Sequence, residues 1–267
     1  MIMKSISSVK IIIAGALSAL FCGCATQYNN TSAKRLVVEA VYVAKPPVLD
    51  GTLNDPAWLK APACKLAMPR RVYSKSPKAM LATLGTEMRE EGEFRLLWDH
   101  SFLYIGVNFT DSDVHAYGEE DNLHHYSLGD VAEVFLKPAN DTYYWELYAT
   151  PTGKKTSFFF PARGCRLSPL MKSSPLGLSV SSRFEGTLNQ WGDRDTSWSA
   201  VMVIPRKDLE QYGAKFGPGT EWLIFMARYN YSRYLPAPEL SSYPQQAETP
   251  NFHIHEEYAT LKFVNGK

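Results

Sequence analysis

Little cysteine, almost no net charge and a shortage of long apolar runs mark this chain. Its 267 residues hold four cysteines, 28 Lys plus Arg and 27 Asp plus Glu, a net charge of +1. No Cys-x-x-Cys occurs, so a zinc ribbon or redox dithiol has no support. No basic stripe occurs either, which argues against a nucleic-acid partner. Gly-x-Ser-x-Gly, His-Glu-x-x-His and a phosphate-cradling glycine loop are all missing, so the common hydrolase, metalloprotease and nucleotide signatures do not apply. After the first two dozen residues, no segment is apolar enough to cross a bilayer as a helix.

What is present begins at the N-terminus. Met1–Lys10 carries two lysines and no acid, Ile11–Phe21 is almost wholly apolar, and Cys22-Gly23-Cys24 follows. A positive start, a short greasy run and small residues at a break read as an export signal. The Gly-Cys pair resembles the bacterial lipobox, with Phe21 and Cys22 departing from its usual residues. The expectation is a signal over residues 1–23, lipid on Cys24, a polar tether over 24–36 and a folded body over 37–266. That places the protein at the cell envelope, on the outer membrane, held by its N-terminal lipid alone. With Cys22 removed and Cys24 lipidated, Cys64 and Cys165 remain as one candidate disulfide or as two free thiols.

The rest alternates short strand-like runs with turn residues. Leu36–Val43 is the first. Glu93–Trp98 and Phe102–Thr110 flank Asp99-His100-Ser101, a hairpin signal. In the second run Leu103, Ile105, Val107 and Phe109 share one face, the period of a half-buried strand. Asp130–Lys137 and Tyr143–Thr150 flank Pro138-Ala139-Asn140-Asp141, and Leu178–Gly186, Trp198–Pro205, Trp222–Tyr229 and Tyr258–Val264 complete the series. Trp222, Ile224 and Met226 alternate with Leu223, Phe225 and Ala227, so that strand is covered on both sides. Arg206–Tyr212 predicts a short helix and Asp55–Leu59 a helical turn. Pro69–Gly92 and Ser232–Pro250 read as long loops, a common place for binding residues. The whole predicts an all-β antiparallel sandwich, jelly-roll-like, with one or two short helices.

Among candidate chemical groups, His253 and His255 have strand spacing that would put both rings on one face, but no third metal ligand can be named. Glu133 and Glu146 lie on neighbouring strands. They suit a glycosidase pair, sugar hydroxyls or an ion pair with Arg228, and binding or structure is favoured over catalysis. Aromatic residues make up 13% of the chain. Several fall in polar, turn-rich settings: Tyr126, Trp191, Tyr231, Tyr234, Tyr243 and Phe252.

The order of motifs is similar to that of the family nine carbohydrate-binding modules and their wider relatives. Pro47–Trp58 opens with Pro-Val-Leu-Asp-Gly-Thr-Leu-Asn-Asp-Pro-Ala-Trp, followed by Trp98–Val107, Gly129–Leu136, Trp198–Pro205 and a closing Phe252–Phe263. The resemblance covers roughly Val38–Val264. It implies a sandwich that grips a sugar between two aromatic rings, here Tyr126 and Phe252, with Glu133 and Arg228 as polar contacts. Asn108 is a further candidate contact. Glu146 falls where a relative uses an arginine. Calcium accompanies some relatives, with Asp111 and Asp113 as candidate ligands, and no other cofactor is expected. The reading is non-catalytic binding of an oligo- or polysaccharide. The alternatives are a glycoside hydrolase on the same sandwich and a haem-binding electron-transfer domain using Met202, Met226 or His253.

Overall fold

The computed structural model describes residues 35–70, 87–165, 176–248 and 250–265. All of them belong to one unit, Lys34–Lys267, and a second unit, Met1–Ala33, lies outside the described residues. The signal, the Cys24 lipidation site and the tether up to residue 34 therefore fall outside them. Among the described residues no helix is long and apolar enough to cross a membrane.

Among the described residues the all-β expectation holds, with one short helix, α1 (Arg206–Leu209), and three short 3-10 turns, Pro56–Lys60, His125–Ser127 and His255–Glu257. The strands are β1 (Val37–Tyr42), β2 (Cys64–Lys65), β3 (Gly92–Trp98), β4 (Phe102–Thr110), β5 (Val131–Pro138), β6 (Tyr144–Ala149), β7 (Lys155–Phe160), β8 (Ser179–Glu185), β9 (Ser197–Pro205), β10 (Trp222–Asn230), β11 (Glu239–Tyr243) and β12 (Ala259–Val264). They form one continuous sheet in the order β7-β6-β5-β10-β12-β1-β3-β4-β9-β8, with β11 paired to β10 and β2 to β3.

Two features differ from the expected antiparallel sandwich. The two layers are halves of a single sheet, joined through β12 and β1, and folded over one shared core. The sheet is also mixed, because β1 runs parallel to both β12 and β3. A parallel pair needs a long crossover rather than a tight turn, and the chain between Tyr42 and Gly92 supplies one.

Period-two alternation sorts each strand between two environments. On β5, Ala132, Val134 and Leu136 enter the shared core, while Val131 and Phe135 join a second apolar cluster on the outer face. On β6, Trp145, Leu147 and Ala149 point inward, with Tyr144 and Tyr148 outward. On β10, Trp222, Ile224 and Met226 point inward, with Leu223, Phe225 and Ala227 outward. That outer face is capped by Phe252 and Tyr258. The opposite layer is capped by Trp58, which sits in the turn Pro56–Lys60 beneath its N-cap Asp55. For this reason β4 is not half-buried: Leu103, Ile105, Val107 and Phe109 face the core as expected, while Tyr104 is buried under Trp58.

The predicted hairpins form. Asp99 accepts hydrogen bonds from the backbone N–H groups of Ser101 and Phe102, at 2.7 and 2.8 Å, and so fixes the β3–β4 turn. Three strands escaped the sequence pattern: β2, β7, and β11 inside the expected loop Ser232–Pro250. Most of the other expected loop, residues 71–86, lies outside the described residues. Cys64 and Cys165 are free and unpaired. Cys64 is buried on β2 opposite Phe94 of β3, and burial pushes its thiol up to about 12. Cys165 is exposed in the segment that follows β7. No bridge joins such positions.

Candidate functional site

The outer face of β5, β6 and β10 opens into a groove of about 580 Å³. Its lining includes Tyr126, Glu133, Glu146, Tyr229, Phe252 and His253. Four of the five candidate ligand-binding residues thus meet in one place, although Phe252 is more than 100 positions from Tyr126 and Glu146.

Strand register brings the two glutamates together. Glu133 sits opposite Tyr148, and Glu146 opposite Phe135, so the glutamates are diagonal neighbours on one face. Diagonal Cβ atoms across a ladder are about 7–8 Å apart, close enough for two long side chains to reach a common point. Glu133 is 2% exposed and Glu146 is 6% exposed. Burial pushes both carboxyls up. Glu133 is raised further by the charge of Glu146, while Glu146 rises to about 7. Tyr148 donates its hydroxyl to Glu146 Oε1. His253 Nε2 lies 3.9 Å from Glu146 Oε2. Glu133 Oε1 is buried with no hydrogen-bond partner among the described residues, at a position that lines the groove. An unmet buried acceptor costs about 1–3 kcal/mol, so it invites a donor from outside.

The aromatic side is contiguous. Tyr126 lies in the single helical turn His125–Ser127, held where its carbonyl accepts a 2.5 Å hydrogen bond from Tyr231. It is 36% exposed. Its ring centroid is 5.6 Å from that of Tyr229, and Tyr229 meets Phe252 edge-on at 5.5 Å. Phe252 is 6% exposed and packs against Phe135 and Phe225. It forms the back of the groove rather than a free-standing wall. Its segment is tied down by Tyr258, whose hydroxyl donates to the Phe252 carbonyl at 2.7 Å, and by Gln246, which bonds Asn251 through both ends of its amide.

Arg228 is not in the groove. On β10 it is Ala227 that faces Glu133, so Arg228 projects through the other side of the sheet. It is 1% exposed, pairs with the fully buried Asp111 at 2.8 Å, donates to the Thr110 and Glu90 carbonyls at 2.9 and 3.3 Å, and lies over the Phe109 ring. Its role is structural. Tyr229, one residue on, is the groove residue that the sequence reading missed.

Other candidates also separate. Asp111 is engaged by Arg228, and Asp113 accepts from the Arg233 N–H at 2.9 Å. Among the described residues no three His, Cys, Asp or Glu side chains gather to hold a metal. Asn108 is exposed on β4 and lines a different hollow, with Lys65, Glu91 and Glu93. His253 and His255 occupy a turn and the start of the single-turn helix His255–Glu257 instead of a strand, and their rings both pack on Tyr144. Met202 and Met226 are fully buried in the shared core, on the far side of the sheet from His253, so the three do not form a haem site.

Asp130 and Gly129 position β5 at the groove. The buried Asp130 carboxylate accepts from the N–H groups of His115 and Tyr231, each at 2.7 Å, and so ties the chain near Tyr126 to the end of β10. Gly129 has φ +141°, and a Cβ there would lie 2.1 Å from the His115 carbonyl oxygen. Only glycine fits.

Comparison with known proteins is informative for fold and family. No curated protein matches the chain. A solved structure of a "putative carbohydrate-binding protein" from Bacteroides uniformis superposes with a TM-score of 0.64 at 19% identity, over 86% of this chain and 99% of that one. Two structures of a family 9 carbohydrate-binding module from Caldicellulosiruptor kristjanssonii, with glucose and with cellotriose, match at TM-scores of 0.48. Their identities are 13 and 14%, over 86% of this chain and 97 and 95% of theirs. The motif resemblance finds direct support: residues 49–158, which carry most of the first motif and all of the next two together with Tyr126, Glu133 and Glu146, match the family described as carbohydrate family 9 binding domain-like.

Proposed function

We propose that the groove binds a saccharide without catalysis, with the sugar resting on the Tyr126, Tyr229 and Phe252 rings and bonded at its hydroxyl rim by Glu133 and Glu146. The observation that carries this reading is the convergence of those five side chains, from five separate segments, on one groove. Sugar C–H faces match aromatic rings, and a carboxylate that accepts from a hydroxyl makes a stronger bond than a neutral acceptor does. The match of residues 49–158 to a carbohydrate-binding family supports the same reading. A single small site of this kind gives affinities from about micromolar to millimolar, roughly −8 to −4 kcal/mol. Calorimetric titration with a panel of plant, algal and host glycans tests it. Heat is expected with at least one, and silence across the panel contradicts it.

A second reading, glycoside hydrolysis, draws on one observation: Glu133 and Glu146 are neighbouring buried carboxyls, both pushed up by burial. Such a pair is what acid and base roles require. Release of reducing sugar by the purified protein, abolished by Glu133→Gln, would establish it. We further propose that the chain is exported and held at the envelope by lipid on Cys24, as the basic, apolar and Gly-Cys stretches of its N-terminus suggest. Incorporation of labelled fatty acid that is lost in Cys24→Ser tests that step.

A further inference from the structure

The ionisable groups lining the groove are unbalanced in sign. Among the described residues Glu133, Glu146 and Glu248 line it and no lysine or arginine does, with His253 and the tyrosines as the other titratable groups there. The nearby cations are engaged elsewhere: Arg163 pairs with Glu256 at 2.9 Å, Lys137 bonds the Pro138 and Asp141 carbonyls, and Arg228 faces Asp111 across the sheet. At the floor, Glu133 Oε1 is buried without a hydrogen-bond partner among the described residues, and Glu146 Oε2 lies 3.9 Å from His253 Nε2. Two adjoining carboxyls in an apolar, ring-lined recess are costly as anions, and a neutral hydroxyl supplies a donor but no compensating charge. An ammonium supplies both. Its three N–H donors match the open oxygens of the two glutamates, and its charge is favoured over the faces of Tyr126, Tyr229 and Phe252.

We propose that the groove selects a glycan unit with a free amine, an amino sugar in its ammonium form, over the neutral and acidic counterparts. This rests on the saccharide reading and names the sugar class. A uronic acid brings a further anion to a recess where burial already disfavours charge on Glu133 and Glu146, and an N-acetylated sugar lacks the cation.

Calorimetry at neutral pH with the glucosamine trisaccharide, its N-acetylated form, cellotriose and trigalacturonate tests it, with spermidine as a non-sugar amine. The glucosamine trisaccharide is expected to bind about tenfold or more tightly than the two neutral trisaccharides, which a charge-assisted pair readily supplies, with trigalacturonate and spermidine weakest. Glu133→Gln and Glu146→Gln, each checked for an unchanged circular dichroism spectrum, should weaken the glucosamine trisaccharide more than the neutral trisaccharides and so cut the amine preference to about threefold or less. Equal or tighter binding of the neutral trisaccharides overturns the selectivity and leaves the saccharide reading standing. Equally tight binding of spermidine overturns it as well, since general attraction would then suffice. Failure of all four trisaccharides to bind overturns the selectivity, and the saccharide reading falls with it only if the wider glycan panel is silent as well.

Discussion

Replacing Arg228 with methionine leaves the Asp111 carboxylate sealed in the core without its cation. Both residues are essentially inaccessible to water, and Arg228 also supplies donors to the Thr110 and Glu90 carbonyls. Breaking one side of a buried pair typically costs about 3–5 kcal/mol. For a domain of this size each kcal/mol moves the midpoint by roughly 2–4 °C, so Arg228→Met should melt about 6–20 °C below the wild type. Differential scanning calorimetry of Arg228→Met, Asp111→Asn and the double variant reads this directly. The double variant should lose clearly less than the sum of the singles, because they share one interaction. A melting point within about 2 °C of wild type, combined with lost sugar affinity, would refute the reasoning and return Arg228 to the role that the family resemblance implied.

Tyr126→Ala should weaken saccharide binding about tenfold with little change in melting, since the ring is partly exposed, while Phe252→Ala should lose affinity and also about 3–5 kcal/mol of stability. Titration calorimetry and thermal melts of both variants separate the two effects. Burial raises Glu146 to about 7, against an ordinary value of 4.5, and raises the neighbouring Glu133 as well, so the folded state holds their protons more tightly than the unfolded chain does. Stability should therefore fall as pH rises from about 4.5 to 7, and Glu146→Gln should flatten that decline in urea titrations across the range. Gly129→Ala places a methyl group against the His115 carbonyl at positive φ, so it should destabilise by about 1–3 kcal/mol or more and loosen the β5 end of the groove. A midpoint equal to wild type would contradict that geometry.

Much of this arrangement was legible because alternation works where one strand face differs from the other. Glu133 and Glu146 interrupt otherwise apolar outward positions on facing strands, and Asp99 and Asp55 mark their turns by side-chain chemistry. Parity failed on β10, which is apolar on both faces, so nothing in Phe225-Met226-Ala227-Arg228-Tyr229 says which residue points outward. Pairing with β5 decides it, and that pairing places Ala227 opposite Glu133. β7 was missed because Phe158, Phe159 and Phe160 run together without alternation. β11 was missed because its Ser and Tyr residues look like a loop until β10 offers an edge. The parallel insertion of β1 between β12 and β3 rests on contacts more than 200 and more than 50 residues apart, which no local pattern encodes.

The most direct test of the central claim is calorimetric comparison of wild type, Tyr126→Ala and Trp191→Ala with the tightest-binding oligosaccharide. Trp191 is far more exposed than Tyr126 and lines a separate pocket. The account predicts about a tenfold loss for Tyr126→Ala and an unchanged affinity for Trp191→Ala. Loss at Trp191 with full affinity at Tyr126 would put the sugar elsewhere on the surface and contradict it.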